Sequence, residues 1–287
     1  MSIVYLNGEF LPKDEARVSV LDRGFLFGDG VYEVIPVYGG RLFRLEQHLD
    51  RLDQSLVGIR LANPHTRPEW RQIIGQLVEL QGGGDQSVYL QVTRGAAPKR
   101  DHAFPADVRA TVFAMSSPLT PNPPEVAQQG VAAITLEDIR WKYCHIKAVT
   151  LLANVLLRQQ ALDGGAVESI LIRDGEVTEG AASNVFIVRA GELLTPPKGP
   201  FLLPGITRDL ILELAAANGI PHREAAITEA DLASAAEIWV TSSTREILPV
   251  TTLNGVPVGN GKPGPQWTRM AALFQAYKEC LRSGEAN

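Results

Sequence analysis

The sequence predicts an α+β protein of two domains, and three observations lead there. Short segments of alternating apolar and polar residues mix with helical periods, without the regular βα alternation of a parallel sheet. Pro118, Pro121, Pro123 and Pro124 cluster in one stretch, where they remove backbone donors and stiffen the chain without building a core. Finally, 287 residues are more than one ordinary core needs. Together they place a small N-terminal domain at 1–118, a connection at 119–126 and a larger C-terminal domain at 127–287.

The first domain opens with "SIVYLNGEFL", which alternates about Asn7-Gly8, and continues with "VYEVIPVYGGRLFRL", which alternates about Gly39-Gly40. Both read as hairpins. Apolar residues then recur at helical spacing over 45–58 and 69–80, each followed by glycine. The runs "SVYLQVTRG" and "RATVFAMSS" complete an antiparallel sheet. Beyond the prolines come a strand "GVAAITLEDIRW", a helix at 149–162, a hairpin "ESILIRDGEVTEG", a strand "NVFIVRAGELLT" and helices at 207–217 and 229–236. A strand "EIWVTSS", a hairpin about Asn254-Gly255 and a helix from Gln266 close the chain. No G-x-G-x-x-G follows a strand, so a Rossmann domain is not expected.

Composition narrows the function classes. Apolar residues make up 45% and charged residues 21%, the balance of a packed globular protein. The net charge of -5, with no run of Lys or Arg, argues against a nucleic-acid partner. "MSIVYLNGEF" has no basic lead into a long apolar stretch, and the longest apolar run is broken by Thr150 and Asn154, so neither secretion nor membrane insertion is expected. Cys144 and Cys280 are all the cysteines, as a reducing cytoplasm permits, and the five histidines lie apart without metal-ligand spacing.

Several residues carry possible chemistry. Lys147 sits between an extended segment and a helical one and reads either as a solvated lysine or as a chemical one. Glu179, in "VTEGAASNVF", is either a solvated hairpin carboxylate or an acid that holds a proton on a ring nitrogen. Gly205, Ile206 and Thr207 open a helix whose free N–H groups and dipole could hold an anion, or simply cap it. Ser242, Ser243 and Thr244 read as a second hydroxyl-rich helix start, and two of these suggest one shared anion. His48 and Arg51 lie one helical turn apart, and by themselves mark a surface helix, although arginine suits a phosphate.

A lysine, an acid for a ring nitrogen, an arginine and two anion-binding turns are what a pyridoxal phosphate site needs. In this order they resemble the fold type IV pyridoxal phosphate enzymes: D-amino acid aminotransferases, branched-chain aminotransferases and aminodeoxychorismate lyases. The resemblance runs through "DRGFLFGDGVYEV", "HLDRL", "IRWKYCHIK", "VTEGAASNVF", "GITRD" and "VTSSTREILPV", almost the whole chain. It implies a small α/β sandwich domain and a larger pseudo-barrel α/β domain. It also implies that Lys147 binds the cofactor as a Schiff base and Glu179 pairs with the pyridine nitrogen. Arg51, Ile206, Thr207, Ser242 and Ser243 then hold the phosphate, and Leu203 packs on the ring.

Within this class, "TRGAAPKRDHAFP" is the most informative loop. Arg100 and His102, with Tyr32, resemble the carboxylate trap of the D-amino acid enzymes, whose loop reaches the site of the other subunit of a homodimer. Lys99 could share the part given to Arg100, and Ala181 and Ala182 stand where those enzymes often have serines. The expected activity is ping-pong transamination from D-alanine or D-glutamate to 2-oxoglutarate or pyruvate. The alternatives are a branched-chain L-aminotransferase or a lyase on the same scaffold, with side activity on (R)-amines. A cofactor-binding protein without turnover would leave these groups idle.

Overall fold

The computed structural model describes residues 2–107 and 109–285. The chain divides into two compact units, one of residues 1–120, 146–150 and 281–287, the other of residues 121–145 and 151–280.

In the first unit, β1 (Ile3–Leu6) and β2 (Glu9–Pro12) form a hairpin whose turn, Asn7-Gly8, has positive φ at both residues, as a tight two-residue turn demands. A short helix α1 (Arg23–Phe27) follows, capped by the Asp22 carboxylate, which accepts from Gly24 N–H. Next come β3 (Gly30–Tyr38), β4 (Arg41–Leu42), α2 (Leu45–Gly58), α3 (Arg67–Leu80), β5 (Gln86–Thr93) and β6 (Thr111–Pro118). α3 starts earlier than the apolar period suggests, because Thr66 and Glu69 form a reciprocal capping box. The strands pair antiparallel in the order β2-β1-β6-β5-β3-β4. Val31 and Ile35 of β3, Leu52 and Leu56 of α2, Trp70 and Ile74 of α3 and Val88 and Leu90 of β5 meet in its core.

The second unit opens with α4 (Pro124–Gln129), so the proline-rich stretch is a helix start and not only a connection. Proline stands in its first turn, where no N–H is required. Then come β7 (Val131–Glu137), α5 (Leu152–Asp163), β8 (Glu168–Arg173), β9 (Glu176–Gly180), β10 (Asn184–Arg189) and β11 (Glu192–Thr195). The stretch read as one strand, "NVFIVRAGELLT", is thus a hairpin of β10 and β11 with positive φ at Ala190 and Gly191. α6 (Ile206–Ala217), β12 (His222–Glu224), α7 (Glu229–Ala233), β13 (Glu237–Ser242), β14 (Glu246–Leu253), β15 (Val256–Pro257) and α8 (Pro265–Ser283) complete the chain. The sheet runs β12-β11-β10-β13-β14-β7-β8-β9, with β15 on β14. Here β7 lies parallel to both β8 and β14, and β11 lies parallel to β12, in an otherwise antiparallel sheet.

Two departures from the sequence reading bear on the site. The helix expected from Val149 begins only at Leu152. Residues 147–149 are instead extended beside β3: Tyr32 N–H donates to Lys147 C=O at 2.9 Å and Val149 N–H to Gly30 C=O at 3.0 Å. Those backbone groups have strand partners and are not available to a helix. The second departure is at Ser242, Ser243 and Thr244, which do not start a helix. Residues 243–245 turn β13 tightly into β14, with Ser242 paired to Glu246 and Glu246 at φ 58°.

Candidate active site

Lys147 belongs to the first unit. Its N–H donates to Ser55 Oγ of α2 at 3.1 Å, and its Nζ lies over the Tyr32 ring, 4.2 Å from the centroid. Strand pairing to β3 below and α2 above therefore fix the backbone from which the amine projects.

Beside it, α2 turns His48 and Arg51 inward, so the surface-helix reading is wrong. Both are buried, and the reason is Glu33 on β3, itself fully buried. Arg51 donates from Nε and Nη2 to the two Glu33 oxygens at 2.8 and 2.7 Å, and His48 Nδ1 donates to Glu33 Oε2 at 2.8 Å. Burial works against the Glu33 charge, but the Arg51 guanidinium and the His48 ring outweigh it and hold the carboxyl far below the usual range. His48 is held below its ordinary value, by burial first and then by the Arg51 and Lys147 charges acting against Glu33. A neutral ring that gives its Nδ1 proton to a carboxylate leaves Nε2 as an acceptor. That atom is buried and has no hydrogen-bond partner among the described residues.

Glu179, in the second unit, is the next-to-last residue of β9 and is buried, not solvated. Oε2 accepts from Leu203 N–H at 2.9 Å and from Asn184 Nδ2 at 3.2 Å, and Oε1 accepts from Arg140 Nη1. Arg140 gives its other two nitrogens to Asp138, at 2.8 and 2.9 Å. Burial, opposed by Arg140 and by the Leu203 N–H, pushes the Glu179 carboxyl up to about 7.

The start of α6 fits a phosphate. No side chain caps this helix, whose N-cap is Gly205. Thr207 Oγ1 is buried there without a hydrogen-bond partner among the described residues. A Cβ at position 205 would come within 1.9 Å of Asn184 Oδ1, so a side chain there would displace the amide that bonds Glu179 and Leu203. Ile206 is buried beside it. On the β13–β14 turn, Ser242 Oγ is taken up by Arg245 N–H at 3.3 Å, and Ser243 is half-buried. Thr241 Oγ1, one residue earlier, is buried and without a partner among the described residues.

Arg100 and His102 lie on an exposed loop of the first unit, both against the Phe27 ring, at 5.0 and 5.2 Å. Lys99 points elsewhere, into a contact with Asp101 at 3.4 Å. Tyr32, half-buried, stacks on Tyr89 at 5.7 Å. Ala181 C=O accepts from Asn154 Nδ2 at 2.8 Å, so the alanine turn is held through its backbone.

Sequence reasoning missed Glu33, Asp138, Arg140 and Asn184. Glu33 and Arg140 stand inside the quoted "DRGFLFGDGVYEV" and "IRWKYCHIK". Only their burial separates them from ordinary surface charges.

Residues 30–253 match the family described as Amino-transferase class IV. Over 95% of each chain, this protein is 42% identical to a D-alanine aminotransferase of Bacillus licheniformis. It is 38% identical to one of Staphylococcus haemolyticus, over 99% of this chain and 100% of that one. Among solved structures it resembles a T.th. branched-chain amino acid aminotransferase with pyridoxamine 5'-phosphate. The TM-score is 0.91, with 26% identity over 96% of this chain and 94% of that one. The corresponding Escherichia coli enzyme gives a TM-score of 0.88 at 26% identity, over 96% and 93%. The chain belongs to the class IV aminotransferase family, on the fold type IV scaffold. It is an aminotransferase that uses pyridoxal phosphate.

Proposed function

We propose that the protein transaminates D-amino acids, D-alanine and D-glutamate foremost, with 2-oxoglutarate or pyruvate as acceptor. The observation that carries the site is the buried Thr207 hydroxyl, without a partner among the described residues, at an uncapped helix start. That chemistry accepts a phosphate, and the class IV cofactor brings one. The D-preference is supported by relatives named D-alanine aminotransferase at about 40% identity, against 26% for the branched-chain structures.

In this reading Lys147 would hold the cofactor through its Nζ, and the same amine, once free, would take the substrate's Cα proton. When bound, pyridoxal phosphate supplies the electron sink for that proton transfer. Glu179, oriented by the Leu203 N–H, would hold a proton at the ring nitrogen, and Leu203 would lie against the ring. Arg51, Ile206, Thr207, Ser242 and Ser243 hold the phosphate, Arg51 with its fork set by Glu33. Tyr32, Arg100 and His102 take the substrate α-carboxylate.

The protein works, on this reading, as a cytoplasmic homodimer in which the Arg100 and His102 loop serves the other subunit. Leu152, Val155 and Leu156 of α5 are 72%, 59% and 54% exposed, an apolar face suited to a second copy. Among the described residues no helix is long and apolar enough to cross a membrane.

Mixing the yellow holoenzyme with each enantiomer of alanine, glutamate and leucine tests the substrate class. D-alanine and D-glutamate should bleach it, while bleaching by L-leucine and not D-alanine makes it a branched-chain enzyme. Borohydride should fix the cofactor to the peptide containing Lys147, and Lys147→Ala should lower turnover about 10²- to 10⁴-fold. Labelling of Lys142 or Lys198 instead would remove Lys147 from its role.

A further inference from the structure

We propose that Arg23 is the positioning residue of the substrate-carboxylate trap: its buried guanidinium gathers the backbone of the loop that carries Arg100 and His102. The inference rests on the reading that those two residues hold the substrate carboxylate.

Arg23 starts α1 and is only 3% exposed, unusual for an arginine in a region otherwise open to solvent. Its Nη1 donates to Asp101 C=O at 2.6 Å and to Ala103 C=O at 3.2 Å, and its Nη2 donates to His102 C=O at 3.2 Å. Three successive carbonyls thus converge on one cation, while the side chains of that segment stay exposed. A loop held this way has a fixed backbone and free side chains, which suits a gripping loop.

The guanidinium is itself held. Arg23 Nε donates to Asp29 Oδ2 at 2.7 Å, and Arg94 reaches the same carboxylate with Nε at 2.8 Å and Nη2 at 3.0 Å. Burial opposes the Asp29 charge, but Arg94 and Arg23 prevail and keep the carboxyl below its usual value. Arg94 also lies 3.7 Å from the centroid of Phe104, just past the gathered carbonyls. Phe27 completes the seat, with the Arg23 and Arg100 guanidinium carbons 4.9 and 5.0 Å from its ring centroid. Lysine keeps the charge but offers a single point of donation, so it cannot span three carbonyls and Asp29 together.

Arg23→Ala, Arg23→Lys and Arg100→Ala are compared as full-length holoenzymes with matched cofactor content. Arg23→Ala should raise KM for D-alanine and for 2-oxoglutarate together by about tenfold, as Arg100→Ala should, with kcat falling less than KM rises. Arg23→Lys should lie between it and the native enzyme. Amide hydrogens of residues 96–104 should exchange faster in both Arg23 variants. If Arg23→Ala does not yield folded holoenzyme, Arg23→Lys decides alone. A KM within twofold of native in the Arg23 variants, while Arg100→Ala raises it, overturns the proposal and leaves the trap intact, whatever the loop's exchange. An unchanged KM in Arg100→Ala removes the trap, and the proposal with it.

Discussion

A buried cluster of arginine and carboxylate stands among the candidate site residues of each unit, and the two carboxyls that matter end in opposite states. Glu33 faces the whole Arg51 fork and the His48 ring, and it stays ionised far below the usual range. Glu179 receives a single nitrogen of Arg140, whose other two serve Asp138, and it is pushed up to about 7. Both are buried to a similar depth. The share of an arginine that each carboxylate receives, and the Asp138 charge beside Glu179, separate them, not burial. For Glu33 this makes a rigid anchor; for Glu179 it leaves an acid able to respond to a partner.

The largest effect should come from removing each arginine in turn. In the apoprotein at pH 7, Arg51→Met strands an ionised Glu33 and should cost about 3 to 5 kcal/mol in urea unfolding. The cost should shrink towards pH 5 as the stranded carboxyl takes a proton. Arg140→Met should cost less, about 1 to 3 kcal/mol, since Asp138 keeps Arg173 at 3.2 Å and Thr178 at 3.0 Å. Equal costs would break the comparison.

Glu179 should also show in the pH dependence of stability. Its carboxyl is raised in the fold from 4.5 to about 7, so its contribution is whole below pH 4.5 and is lost as pH rises through about 7. Over that window apoprotein stability should fall by on the order of 3 kcal/mol relative to Glu179→Gln, which has no proton to lose. Parallel stability curves for the two proteins would place Glu179 with Glu33. In the holoenzyme the same variant should lose turnover far more than cofactor affinity.

The smallest effect sharpens the account. Asp138→Asn releases Arg140 to Glu179, so the Glu179 carboxyl should titrate lower, and the pH-dependent loss should be smaller and end at a lower pH. A midpoint that stays in place would mean that Asp138 does not compete for the guanidinium.

Much of this was legible beforehand, and the limits are instructive. Asn7-Gly8 and the 45–58 helix follow from local chemistry, turn geometry and period. The β10–β11 hairpin was missed because Ala190 adopts a left-handed φ that alanine rarely takes. Ser243 was placed at a helix start because a hydroxyl-rich turn reads alike before a helix and between strands. Arg23, Glu33 and Arg140 lay inside motifs quoted for other residues. A charged side chain carries no mark of its burial.

By itself the sequence determined the class of the protein, because its motifs are residue types in an order, and it named Lys147, Glu179 and the helix start at 205–207 as candidates for the site. Only the tertiary structure decided how each charge behaves. Arg51 anchors on Glu33 because β3 and α2 face each other, and Arg140 divides between two carboxylates because β9 passes Asp138. Arg23 gathers three carbonyls from a loop far along the chain. Such energies depend on distance and on exclusion of water, and neither is written in the order of residues.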